Sequence, residues 1–183
     1  MGTAFNHLKE DHEHIKKSLI IFKRIFMYYE PREIINNEDL SECVKFNIVF
    51  TNMNHNGKED YILYKSFIEK GISTAINEEI NKFIDEHKLF NGFIQNLQDS
   101  MSDNPQELVS PGFIAGIREY IVHMEEHITN ENVILFPTIE DFLSDKEQDY
   151  FCKQFDLHEA HILKSYGNKD IKGNIDLLYQ KYS

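Results

Sequence analysis

His55-Asn56-Gly57-Lys58-Glu59-Asp60-Tyr61-Ile62-Leu63-Tyr64 and His127-Ile128-Thr129-Asn130-Glu131-Asn132-Val133-Ile134-Leu135-Phe136 share one pattern: a histidine, a glutamate four residues later, then a leucine-aromatic pair. On a helix a spacing of four sets imidazole and carboxylate on one face, one turn apart, where both reach the same metal ion. A single pair of this kind is most often a hydrogen-bonded surface pair. Its meaning depends on what the rest of the chain places beside it.

Outward from these pairs, apolar residues recur in alternating steps of three and four, the period of amphipathic helices packed at a shallow angle. Phe5, Leu8, Ile15, Leu19, Phe22 and Phe26 form a first seam with His12 inside it. Pro31 and the Asn36-Asn37 turn are expected to close that helix. Asp39 offers an N-cap for a second helix through Leu40, Val44, Ile48, His55, Glu59 and Ile62 to Gly71. Ile76, Ile80, Phe83, His87, Phe90, Ile94, Leu97 and Met101 mark a third, stopped at Asp103-Asn104-Pro105. Ser110-Pro111 is an N-cap followed by a first-position proline, and the fourth helix runs on to about Phe142. Ser144 and Glu147 form a capping-box signature for a fifth helix ending near Gly167, and Lys172 to Tyr182 suit a short sixth. The expected class is all-α: an up-down-up-down four-helix bundle over residues 1–143, with a C-terminal helical extension over 144–183 packed on it.

In such a bundle, residues equally far from a shared turn lie at equal height. Counted from the helix ends, His12, His55, His87 and His127 match in depth to within about one turn. Glu59 and Glu131 then point into the same layer from antiparallel helices and are placed to bridge two ions. Burying this set without a partner would cost several kcal/mol per charged group. Four imidazoles and two carboxylates with open positions suit first-row transition metals, iron first, manganese or zinc as substitutes. His123, one turn before His127, is a candidate fifth imidazole or a hydrogen-bonding partner of the ligands.

Composition bounds the rest. With 31 acidic against 19 basic residues the formal charge is -12 over 183 residues, which opposes phosphate backbones and anionic lipid, so no nucleic-acid or membrane partner is expected. Cys43 and Cys152 lack a paired framework and are read as thiols. The start Met1-Gly2-Thr3-Ala4-Phe5-Asn6-His7 lacks the basic and apolar runs of a secretory signal, and no stretch approaches the roughly 20 apolar residues of a membrane span. A cytoplasmic location is the expectation.

Other features carry less. His158-Glu159-Ala160-His161 is one residue short of a zincin motif, and His158 and His161 are read as surface residues. His7 and His14 fall off the first seam and are expected in solvent. Asn52, Asn54, Asn56 and Gly57 echo a calcium loop, but Leu63 stands where its bidentate glutamate is required. Gly57, costing about 1 kcal/mol in a helix relative to alanine, is expected to leave room for the backbone or a small ligand near the metals. Tyr61, Tyr64 and Tyr120 stand close enough in sequence to gate the site or take part in redox chemistry.

Leu8-Lys9-Glu10-Asp11-His12, His55-Asn56-Gly57-Lys58-Glu59-Asp60, Asp85-Glu86-His87 and His127 to Pro137 together resemble the hemerythrin-like, or HHE cation-binding, family over about residues 5 to 142. The resemblance implies a non-haem di-iron centre, two iron ions (Fe2+/Fe3+) with an oxo or hydroxo bridge, handling O2, NO or peroxide. It implies as ligands His12, His55, Glu59, His87, His127 and Glu131. Two departures bear on function: Asn91 stands where the oxygen carriers have a second third-helix histidine, and His127-x-x-x-Glu131 replaces their His-x-x-x-x-Asp. The set is more similar to the iron-cluster repair and related redox branch, although the small cysteine-bearing N-terminal domain of the repair proteins is not expected with it. The expected activity is therefore redox or nitrosative/oxidative stress chemistry, with an electron donor or other protein partner. The alternatives are an iron- or oxygen-sensing interaction module and O2 storage or carriage.

Overall fold

The computed structural model describes residues 3–27, 36–103, 110–167 and 170–183, and at 102–103 the backbone alone. Among these the chain is all-helical, without a strand, in six continuous helical runs. The first is α1 (Ala4–Phe22), prolonged by π-helical turns over Lys23–Met27. The second threads α2 (Asn37–Phe46), a π stretch Asn47–His55, α3 (Asn56–Lys58), a π stretch Glu59–Tyr64 and α4 (Lys65–Lys70). The third is α5 (Thr74–Asp103); the fourth joins α6 (Pro111–Asn130), a π stretch Glu131–Leu135 and α7 (Phe136–Glu140). Two further helices, α8 (Asp145–Ser165) and α9 (Ile171–Tyr182), complete the described chain. None of the described helices is long and apolar enough to cross a membrane.

The local punctuation explains most boundaries. Gly71 ends α4 at φ +61°, a conformation that a side chain disfavours. Ser110 Oγ accepts from the Phe113 N–H at 3.2 Å ahead of Pro111, and Ser144 with Glu147 closes a full capping box. One expectation is corrected: Asn36, not Asp39, caps the second run, its Oδ1 accepting from the N–H groups of Glu38 at 3.1 Å and Asp39 at 3.2 Å. The Asp39 carboxylate is thereby released to accept from Lys181 and from the Tyr182 hydroxyl, which anchors α9. Pro31 and the Asn104-Pro105 stop lie outside the described residues.

Two apolar clusters form the interior. One gathers Ile15 to Phe26, Leu40 to Phe50, Phe90 to Leu97, Ile117 to Ile128, Ile171 and Ile175; the other gathers Ala4, Phe5, Leu8, Leu63 to Phe67, Ile80, Phe83, Leu135 to Ile139, Phe151 and Phe155. The first four runs cross the two clusters in alternating order, so successive runs point in opposite directions. Between the clusters each run carries its polar residues: His12, then His55 and Glu59, then His87, then His127 and Glu131. A polar layer thus divides the core.

The C-terminal helices are part of this packing. Phe151 and Phe155 of α8 join one cluster, and Ile171 and Ile175 of α9 the other. Because α8 covers the side of the second run that faces away from the polar layer, every residue from Asn54 to Glu59 is buried. Gly57 belongs to this contact: a Cβ there would lie 2.6 Å from His158 Nε2, so the glycine makes room for α8 and not, as expected, for a small ligand. His158 in turn binds the Met53 carbonyl at 2.9 Å. His7 and His14 are half-buried against the C-terminal helices and not in open solvent, pairing with Asp156 at 3.2 Å and Asp176 at 3.3 Å. Gly57→Ala is expected to destabilise the wild type by about 1–3 kcal/mol through overpacking. In a His158→Ala background the same change should stabilise by about 1 kcal/mol through helix propensity. Urea titrations of the double-mutant cycle measure this, and equal effects in both backgrounds would refute it.

Candidate metal centre

Four imidazoles and two carboxylates meet in the polar layer, all 3% exposed or less. His12 Nε2 stands 3.1 Å from Glu131 Oε2, and His127 Nε2 stands 3.4 Å from Glu131 Oε1. Glu59 Oε2 lies 3.4 Å from both His55 Nε2 and His87 Nε2. Glu59 therefore faces His55 and His87, and Glu131 faces His12 and His127 with His87 at 3.9 Å. The donor atoms of His12, His55, Glu59 and Glu131 lie within 4.8 Å of one another, as do those of His87, His127 and Glu131, so Glu131 belongs to both groups. Two ligand atoms bound tetrahedrally at about 2.1 Å stand roughly 3.4 Å apart, which is the spacing found here.

Three of the four rings are hydrogen-bonded from behind, and the fourth, His55, faces a carboxylate without a hydrogen bond. His87 Nδ1 is 2.8 Å from Asp60, His127 Nδ1 is 2.6 Å from Glu86, His12 Nδ1 is 3.0 Å from Asn132 Oδ1, and His55 Nδ1 is 3.5 Å from Asp11. An oxygen acceptor at Nδ1 keeps the proton there and leaves the lone pair of Nε2 directed into the layer. The four supports form a ring. Each sits one residue from a member of the cluster on its own run, yet serves the histidine of a neighbouring run: Asp11 for His55, Asp60 for His87, Glu86 for His127, Asn132 for His12. Residues one apart on a helix differ by about 100° in direction, so one faces the layer while its neighbour faces the adjacent run.

The electrostatics are those of a site short of positive charge. Both oxygens of Glu59, Glu131 Oε2, His12 Nε2 and His55 Nδ1 are buried without a hydrogen-bond partner, although buried polar groups are nearly always satisfied. Burial and the Glu131 charge push the Glu59 carboxyl well above the ordinary carboxylate range. Glu131 is equally buried, but the charges and hydrogen bonds of His127 and His12 hold it below that range. Burial brings His55 down to about 4. Imidazoles set opposite carboxylates suit a cation in the layer. Cys43, its thiol pushed up by burial, lies in the apolar cluster and is not a ligand here.

Of the tyrosines, Tyr64 reaches the layer, its hydroxyl donating to Glu131 Oε1 at 2.6 Å. Tyr61 is exposed, and the Tyr120 hydroxyl donates to Asn47 Oδ1 at 3.4 Å. His123 stays outside both groups: its side chain is 65% exposed and stands 3.8 Å from Glu126. Four residues on a helix advance by about 400°, so a third member of the series drifts off the shared face. It lines a groove of about 390 Å³ with Glu86, Phe90, Phe93, Tyr120 and His127, and this groove reaches the His127 ring from outside.

Uptake of a divalent ion is expected to tighten with rising pH. A carboxyl whose folded value is raised keeps its proton where the unfolded chain has lost it, so Glu59 costs the metal-free fold stability as pH climbs above 4.5. An ion replaces that proton. The thermal shift caused by Zn(II) should be larger at about pH 7.5 than at about pH 5.5. A shift that shrinks with pH would contradict this origin.

π turns accompany the layer. His55 closes one π stretch and Glu59 opens the next, while Glu131 opens another. Such wider turns cluster at functional sites, where they re-aim side chains. No protein-family model matches the chain, and no curated protein or solved structure matches it.

Proposed function

We propose that the first four helical runs are an up-down-up-down four-helix bundle of the hemerythrin-like kind, and that the polar layer holds two iron ions. In this reading the protein binds O2, NO or peroxide and serves redox or nitrosative/oxidative stress chemistry. The observation that carries it is Glu131, common to both donor groups, with Glu59 opposite and four Nε2 atoms facing in. Mixed imidazole and carboxylate donors without thiolate favour iron over the softer alternatives. When bound, the metal pair would supply redox equivalents and open coordination positions for the small ligand.

The chain's own residues define the surroundings. His12, His55, His87 and His127 would hold the ions, and Glu59 and Glu131 would bridge them. The Tyr64 hydroxyl keeps one oxygen of Glu131 oriented and holds a proton beside it. Phe136, stacked on His12 at 5.8 Å, and Phe83 and Phe90, each 5.2 Å from His127, exclude water from the layer. The groove beside His127 gives a small ligand its approach.

Metal analysis joined to optical spectra of the reduced protein before and after O2, NO and peroxide tests the proposal. About two iron ions per chain and an optical change with one of the three gases or oxidants is the expected result. Fewer than about one ion per chain overturns it. A stable, reversible spectrum with O2 would assign carriage, whereas rapid oxidation assigns redox chemistry.

A further inference from the structure

The supports behind the four histidines are not equivalent. His87 and His127 each face a carboxylate, Asp60 and Glu86. His12 faces the neutral amide of Asn132. His55 faces Asp11, but that charge is shared: Asp11 Oδ2 lies 2.8 Å from Lys58 Nζ, and Lys58, fully buried, lies 2.6 Å from Glu159 of α8. Glu159 is also bound by Lys172 of α9 at 2.7 Å, and Lys172 stands 3.7 Å from Asp11 Oδ1. Charges thus alternate in a line from the C-terminal helices to a histidine of the layer.

We propose that Glu159 and Lys58 are positioning residues that set the strength of the His12/His55 half of the centre, making its two metal positions inequivalent and tying one of them to α8 and α9. This rests on the metal centre proposed above. The physical cause is competition for Asp11. Glu159 draws part of the Lys58 charge away from Asp11, which leaves the Asp11 charge to act on the His55 Nδ1–H across 3.5 Å. Without Glu159, Lys58 neutralises Asp11 and the His55 lone pair becomes a poorer donor. Without Lys172, both Glu159 and Asp11 become more negative, and the donor improves. The His87/His127 half is held instead by Asp60 and Glu86, which stand outside this line.

Stepwise titration of the full chain with Co(II), followed by its absorption bands, reads the two positions separately. In the wild type the first ion is expected to bind more tightly than the second. Glu159→Gln should weaken the second step about 10-fold and leave the first within about twofold, since supports of this kind tune affinity by about 10- to 100-fold. Glu159→Asp should restore much of it. Lys172→Met should tighten the second step. Both Glu159→Gln and Lys172→Met break the same ion pair, so a merely structural role of that pair would shift both variants in the same direction. Lys172 is half-exposed, and its variant keeps the test open should Glu159→Gln fail to fold. Two ions in the wild type with both variants shifting alike, shifting both steps, or shifting neither would overturn this inference and leave the metal centre standing. No ion in the wild type would overturn the metal centre itself.

Discussion

Glu59→Met is expected to give a protein that is more stable than the wild type in the presence of a chelator and that no longer holds two ions. Glu59 has both carboxylate oxygens buried without a hydrogen-bond partner, and burial with the Glu131 charge pushes its carboxyl well above the ordinary range. An orphaned buried polar group costs about 1–3 kcal/mol. Exchange of buried ionic groups for apolar ones of similar volume is often stabilising by about 1–4 kcal/mol. The gain should appear in urea denaturation of the metal-free protein. Metal addition should then stabilise the wild type strongly and the variant weakly, because Glu59 Oε2 serves His55 and His87 positions at once. Loss of stability in the metal-free variant would show that Glu59 stabilises the metal-free fold and would refute this account.

Lys58→Met is expected to do the reverse, costing about 3–5 kcal/mol whether or not metal is present, because it leaves buried charges uncompensated. Lys58 is fully buried between Asp11 and Glu159 at 2.8 and 2.6 Å. Asp11 is 2% exposed and cannot recover water in place of the ammonium. Adding Glu159→Gln to Lys58→Met should recover part of the loss, which a double-mutant cycle measures. The pH dependence has a definite sign. Despite burial, which raises them, Asp11 is held below its usual range by His55 and Lys58, and Glu159 is held down by Lys58 and Lys172. A depressed carboxyl contributes stability in full above its unfolded value and loses it as pH falls through its folded value. The difference between wild type and Lys58→Met should therefore be full at neutral pH and shrink progressively below about pH 4.5. A single-variant cost under about 1 kcal/mol would mean that the buried line of charges contributes little.

The six cluster residues were legible in the sequence because two local regularities bear on them. Apolar seams of period 3.6 placed His12, His55, His87 and His127 among core positions, and counting from turn signals put them at one height. Ser110-Pro111, Ser144 with Glu147, and Gly71 were legible for the same reason: a cap is a contact within one turn of chain. Asp39 was misread because Asn36 and Asp39 are both good caps three residues apart, and the choice between them depends on Lys181 and Tyr182, far along the chain.

The supports were hidden for a different reason. Asp11, Asp60, Glu86 and Asn132 each adjoin a cluster residue in sequence, and a polar residue beside a seam ordinarily reads as solvated surface. Each serves a histidine on another run, a relation that exists only after the runs are set side by side. His123 shows the converse: its spacing from His127 satisfied the local rule, yet it lies in the open on a groove. The burial of Lys58 was equally out of reach, since it follows from where α8 lies against the second run.

Periodicity and spacing, properties of residues within a few turns of one another, sufficed to determine that the chain is helical and that four of its histidines and two of its glutamates share a layer. What only the tertiary structure decided is which neighbour stands behind each ring, where the π turns fall, why Gly57 must lack a side chain, and how the C-terminal helices reach Asp11. Those depend on approach between segments tens of residues apart, and the free energy that selects them belongs to the packed whole and to no single helix.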